Sequence, residues 1–223
     1  MSDISSDLQI ELEGLEYEIQ TAKNRLPDYS ARHFNTHREY ALMECFRRAV
    51  ELSEGCILCT KANLIEPQYI LTRGLIERLI WVCWITKSNE NAQNFIDAAE
   101  KEFKRRTRIT LNTGHGRVTD TTTHEDKTQE LLNSEWVKDI QPRMKIYEIA
   151  KDVGLEKLYI QIYGPLSIYA HGYMLESLAD VKDENVSVLA AANGTMACIN
   201  LVVKNWIVSR HQAPMKEIYA ILG

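Results

Sequence analysis

Two polar pairs in this chain have the residue types and spacing to do chemistry. Ser167 and His171 stand four residues apart in Tyr163-Gly-Pro-Leu-Ser-Ile-Tyr-Ala-His-Gly-Tyr173, and Arg73 and Glu77 stand four apart in Ile70-Leu-Thr-Arg-Gly-Leu-Ile-Glu77. Side chains at that spacing lie one above the other on a helical face. An imidazole moves protons near neutral pH, a guanidinium grips a phosphate or carboxylate with two parallel N–H groups, and a carboxylate orients either. One chemistry such a set suggests is acyl transfer, with Ser167 as nucleophile, His171 as base and Glu77 orienting it. Nucleophilic serines usually sit on a strained turn after a strand, however, and this chain reads as helical throughout. The structural alternative makes Ser167 a hydroxyl bonded back to its own helix, His171 a satisfied core histidine, and Arg73 and Glu77 a buried ion pair holding the bundle in register.

Helices must position these residues. Apolar residues recur at three and four along most of the chain, while Gly and Pro are scarce. The first helix runs from about Ser6 to Leu26 on Leu8, Leu12, Leu15 and Ile19, and Pro27 ends it. A second spans about Ala31 to Asn63, with Tyr40, Met43, Phe46, Val50, Ile57 and Leu58 among its apolar positions. The third, about Pro67 to Lys87, is apolar nearly all round, as a central helix is, and sets Ile70, Arg73, Glu77, Ile80 and Trp84 in one stripe. The fourth, about Asn89 to Leu111, carries a basic run that offers Lys104, Arg105 and Arg108 as phosphate contacts, with a solvated charged face as the alternative. Residues 112–126, rich in Thr and Gly, read as a long irregular and mobile loop. Its Gly114-His115-Gly116 is too short for a phosphate loop. Helical pattern resumes from Leu131 to Val153 with an interruption near Pro142. The helix carrying Ser167 and His171 follows, from Leu155 to Tyr173 and broken at Gly164-Pro165. Asp180 to Asn185 reads as a charged turn, Val186 to His211 as the last long helix, and Pro214 sets off a short terminal one. The chain is thus expected to be an all-α, single-domain bundle of about seven helices over residues 1–223. It divides into an N-terminal helix (1–30), a core bundle (31–211) and a short C-terminal helix (212–223).

A formal net charge of -5 supplies no global basic field, so any contact with nucleic acid must be local. Met1 to Asp7 lacks the basic start and apolar run of a secretory signal, and the most apolar stretch, Leu75 to Thr86, holds Glu77 and Arg78. The expectation is a cytoplasmic protein with no membrane span. Five cysteines, an odd number scattered through apolar helical segments, argue against structural disulfides. Cys56 and Cys59 form a lone CxxC without a second pair or a His pair at zinc spacing, so they read as packing residues. Neither a metal nor another cofactor is expected.

Arg73-Gly-Leu-Ile-Glu77 with Trp81-Val-Cys-Trp84 after it, and Tyr163-x3-Ser167-x3-His171-Gly172 later, resemble the motifs of a large uncharacterised bacterial family of helical proteins. The likeness spans roughly Arg38 to Trp206. That helical arrangement is in turn similar to the HEPN superfamily (higher eukaryotes and prokaryotes nucleotide-binding), whose members are often metal-independent ribonucleases of toxin-antitoxin, abortive-infection and CRISPR systems. Such proteins commonly dimerise around a composite cleft, and their signature is an Arg followed four to six residues later by His. This chain has no arginine at that spacing before His171. Formal matches at Arg32-x4-His37 and Arg108-x6-His115 fall at a helix start and in a Gly-flanked loop, away from where the motif belongs. The resemblance therefore implies that Arg73 replaces the motif arginine from a neighbouring helix. His171 would then be the acid or base, Glu77 would orient it or Arg73, and Ser167 and Tyr163 would donate hydrogen bonds. It implies an RNA-directed or nucleotide-binding role in defence or toxin biology, a homodimer, and a partner protein such as an antitoxin or defence component. The competing expectation is a non-catalytic helical interaction module in which the same residues form a structural polar network.

Overall fold

A computed structural model describes residues 6–30, 36–138, 144–170 and 181–222. Five long helices make the body: α1 (Ser6–Ser30), α2 (His37–Lys61), α3 (Ile65–Ile85), α4 (Asn89–Asn112) and, near the end, α10 (Val181–Ser209). Between α4 and α10 the helical segments are short: α5 (Thr128–Asn133), α6 (Glu135–Lys138), α7 (Ile146–Asp152), α8 (Glu156–Leu158), a π turn (Tyr159–Tyr163) and α9 (Gly164–Ala170). The terminal α11 covers Met215–Leu222. Among the described residues there is no strand, so the all-α expectation holds. The sequence reading of about seven helices merges several of these short segments.

Local chemistry starts α2 and α4 in the same way. Thr36 accepts a hydrogen bond from the Glu39 amide at 3.2 Å and Ser88 from the Asn91 amide at 3.0 Å, each satisfying an orphan donor of the first turn. Packing then places α3 at the centre, against α2, α10, α4, α7 and α9. Twelve of its 21 residues are buried, Leu75, Ile76, Leu79 and Ile80 completely, which is why its sequence is apolar on every face. The parallel pair α1 and α10 is joined by a polar seam at seven-residue spacing. Asn193 donates to Glu11 at 3.0 Å, Asn200 donates to Glu18 at 2.6 Å, and Arg25 donates to the Asn200 carbonyl at 3.0 Å. Gly14 faces that seam: a Cβ there would lie 2.4 Å from the Asn193 amide nitrogen, so a larger residue would push the Asn193 side chain off its bond to Glu11.

Four readings of the sequence need correction. α1 passes through Pro27 to Ser30: the proline loses its own bond to the carbonyl four residues back and crowds that carbonyl, but it falls in the last turn, where little helix remains to be disrupted. The helix after Leu155 is not broken at Gly164-Pro165. It widens just before them, where the Gly164 amide bonds the Tyr159 carbonyl five residues back. Val181 to Asn185 is the start of α10 rather than a turn. Finally, Asn185–Ser209 of α10, with Lys204 as its one charged residue, is long and apolar enough to cross a membrane by length and composition. In the bundle its Leu189, Ala192, Met196, Ile199 and Val202 are fully buried, as a core helix requires. The loop after α4 is built by hydrogen bonds: Asp120 accepts from the Thr122 and Thr123 amides, both at 2.8 Å, and Thr119 bridges Asp126.

Candidate functional site

Arg73 and Glu77 rise one turn apart from α3, both half-buried. Among the described residues they do not close on each other; they meet through a third side chain. Arg73 Nη2 donates to the Tyr163 hydroxyl at 2.9 Å, and that hydroxyl donates to Glu77 Oε2 at 3.3 Å. The Arg73 guanidinium also lies 5.0 Å from the centre of the Tyr163 ring, and its Nε is buried with no acceptor among the described residues. Glu77 Oε1 accepts from Arg78 Nη2 at 3.2 Å. Burial, reinforced by the Glu77 charge and opposed by Arg73, pushes the Tyr163 hydroxyl up to about 12, so it stays protonated and can donate at physiological pH.

The π turn aims Tyr163. Tyr163 is 3% exposed and its ring stacks on Tyr159 at 4.7 Å, while Tyr159 meets Tyr147 of α7 at 5.3 Å. Tyr147 is fixed in turn by donating to Glu156 at 2.5 Å. A column of three rings thus ends on the Arg73 guanidinium. π turns inside helices mark functional sites more often than ordinary turns do.

Of the sequence candidates, the structure brings together Arg73, Glu77 and Tyr163. Ser167 follows one turn later on α9, partly buried, and His171 lies outside the described residues. Lys104 and Arg105 are on α4, each held by a nearby carboxylate. Lys104 binds Glu100 at 2.7 Å and sits 5.5 Å from the Trp136 ring; Arg105 forks onto Glu102, which also takes Arg106 at 2.8 Å. These bonds hold the Glu102 carboxyl down at about 2. Arg108 is exposed at the end of the same helix, and His115 is exposed in the following loop. Of the other formal Arg-to-His match, His37 is exposed and Arg32 lies outside the described residues.

All five cysteines are free; Cys56 is buried against Thr72 at 3.6 Å and Cys59 is partly exposed. Burial pushes the Cys45, Cys56 and Cys198 thiols up to about 12, away from the thiolate that redox or metal chemistry needs. Among the described residues no group of three or more His, Cys, Asp or Glu could hold a metal ion.

Sequence reasoning missed a groove of about 660 Å³ between α3 and α4, reaching Tyr40 and Glu44 of α2. Glu77 belongs to both the groove and the tyrosine site. The signal was present in α4: Asn94, Ala98, Lys101 and Arg105 fall on one helical stripe, and all four line the groove.

A family model described as a family of unknown function (DUF5677) matches residues 39–186, about two thirds of the chain. The chain belongs to DUF5677. The match contains Arg73, Glu77, Tyr163, Ser167 and His171 and agrees with the expectation of an uncharacterised family. No curated protein and no solved structure matches the chain.

Proposed function

We propose that this DUF5677 protein is an RNA-directed or nucleotide-binding protein of the bacterial defence or toxin kind, HEPN-like in arrangement, cytoplasmic and dimeric. One observation carries the reading: the half-buried Arg73 guanidinium is held in one orientation by Tyr163 through Nη2 and by the ring beneath it. A guanidinium held in place and still partly exposed can receive a phosphate oxygen. Ser167, on the helix that follows Tyr163, supports the reading by bringing a second hydroxyl to the same segment.

In the proposed reaction the RNA 2′-hydroxyl attacks the adjacent phosphorus and the bond from phosphorus to the 5′-oxygen breaks. His171 removes the proton from the attacking oxygen or delivers one to the leaving oxygen, and Arg73 stabilises the charge gathering on the phosphoryl oxygens. Tyr163, protonated, fixes Arg73, and Glu77 fixes Tyr163. An antitoxin or other defence component would be the partner protein.

The second reading, an interaction module with a structural polar network, draws on the near-complete burial of Tyr163 and on its simultaneous bonds to Arg73 and Glu77. Expression of the wild-type chain beside His171→Ala, Arg73→Lys and Arg73→Ala separates the two. Total RNA is examined for cleavage, and circular dichroism checks folding. Fragmentation that disappears in the folded His171→Ala and Arg73→Lys proteins supports the nuclease, since lysine keeps the charge but loses the fork. Intact RNA throughout, with variants that only melt earlier, leaves the network as scaffolding.

A further inference from the structure

We propose that the groove between α3 and α4 binds an amphipathic monoanion, its flat aromatic body seated against Trp81 and Phe95 and its single carboxylate or phosphodiester group at Lys101. The space exists because α4 presents Ala98 and Ala99 where larger side chains would fill it. About 660 Å³ is the size of a small-molecule site rather than of a packing defect.

The wall is aromatic and rigid. Trp81 is 8% exposed and makes edge contacts with Phe95 at 5.1 Å and Trp84 at 5.6 Å, so a flat ring meets a preformed surface. Met144 adds an adaptable apolar side chain at the margin.

Charge selects the rest of the ligand. Three acids line the groove, and each is occupied: Glu44 by Arg47 at 2.6 Å, Glu77 by Arg78 and Tyr163, and Glu102 by Arg105 and Arg106. Those same pairs account for Arg78 and Arg105. Among the described residues Lys101 is the lining charge without an ion pair, and Asn94 stands on the same stripe as a neutral hydrogen-bonding group. Lys101 is therefore the lining cation free to take one negative charge without giving up a pair. A polyanion would have to break the carboxylate pairs, and a cation finds every carboxylate taken.

The aromatic monoanion anilinonaphthalene sulfonate is the probe, titrated into the full chain in the absence of RNA and followed by its own fluorescence and by quenching of tryptophan. Saturable one-to-one binding is expected. Ala98→Leu and Ala99→Leu fill the groove from α4 and should weaken it at least about tenfold. Lys101→Gln should weaken it by about tenfold and remove most of its salt dependence. Glutamine keeps the helix and the length of the side chain, so this arm holds even where the leucine variants melt. Displacement of the probe by indole acetate assigns an aromatic carboxylate, and displacement by cyclic AMP assigns a phosphodiester; either supports the site. The proposal is overturned by binding at many sites, by affinity unchanged in folded groove-filling variants, by Lys101→Gln binding like the wild type, or by displacement with neither compound. Since no RNA is present and the probe is not cleaved, this result is independent of the ribonuclease reading.

Discussion

Glutamate and arginine four residues apart occur on both α3 and α4, and the two helices use them differently. On α4, Glu102 precedes Arg106 and also takes Arg105, closing a local cluster that asks nothing of the rest of the protein. On α3 the order is reversed, Arg73 before Glu77, and the two are joined by a tyrosine from 90 residues away. Acid before base is the orientation that pairs well within one helix. Order alone does not decide, since Arg47 of α2 reaches Glu51 ahead of it, on an exposed face. Neighbours decide: the Glu77 and Glu102 side chains are 26% and 28% exposed, but the α3 pair meets a hydroxyl and aromatic rings from another element, while the α4 cluster borders the groove and finds its partners on its own helix. A charge cluster on a helix becomes a site when a neighbouring element interrupts it.

The sharpest way to break this contrast is to remove one arginine from each helix. Arg73→Ala removes the charged donor to the Tyr163 hydroxyl and the cation over its ring, leaving Glu77 to Tyr163 and Arg78, and should cost about 2–3 kcal/mol in urea unfolding. Arg105→Ala should leave the urea midpoint nearly where it was, because Arg106 remains on Glu102 and no carboxylate is left unpaired. Equal losses would refute the comparison. Tyr163→Phe keeps the ring under Arg73 but deletes both hydroxyl bonds, and about 1–2 kcal/mol should go.

The two regions should also respond at opposite ends of the pH scale. Tyr163 titrates near 10 unfolded and about 12 folded, so its contribution is complete below pH 10 and is lost as pH rises toward 12. Buried cysteines add to the same alkaline loss, and the difference between wild type and Tyr163→Phe isolates the tyrosine. Glu102 runs the other way: its carboxyl is lowered from 4.5 to about 2, so its contribution is present above 4.5 and fades as pH falls to 2. Stability–pH curves of Glu102→Gln and wild type should converge at the acid end. The smallest effect is expected for Lys104→Met, about 0.5 kcal/mol or less for one partly shielded pair and its contact with Trp136.

The long helices were legible because their apolar spacing is regular; the ends of α4 and the central character of α3 follow from pattern alone. Arg73 and Glu77 were legible as a pair for the same reason. Their connection through Tyr163 was not, because a helical wheel treats one helix at a time and Tyr163 belongs to another. Pro27 misled because the rule for proline concerns helix interiors, and a last turn has little left to lose. The apolar run of α10 was overlooked because Asn193, Thr195 and Asn200 interrupt it, and these polar groups are spent on α1 and on the helix's own backbone. The groove was hidden for a different reason: two alanines on a charged helix look like propensity, and only the neighbouring Trp81 and Phe95 turn them into space.

The π turn is, in effect, a single inserted residue. Every α-helical position advances about 100°, so one extra residue puts the helix before Tyr159 out of phase with the helix after Tyr163 by that angle. Which way Tyr163 points is therefore set by the number of residues in the turn more than by their identity. Replacing exposed Ile160 or Gln161 should pass unnoticed, whereas deleting either one would restore an even helix and swing Tyr159 and Tyr163 out of their stack. Both flanks would stay helical. Within this family, a gap at that turn would mark a protein that keeps the bundle and gives up the site.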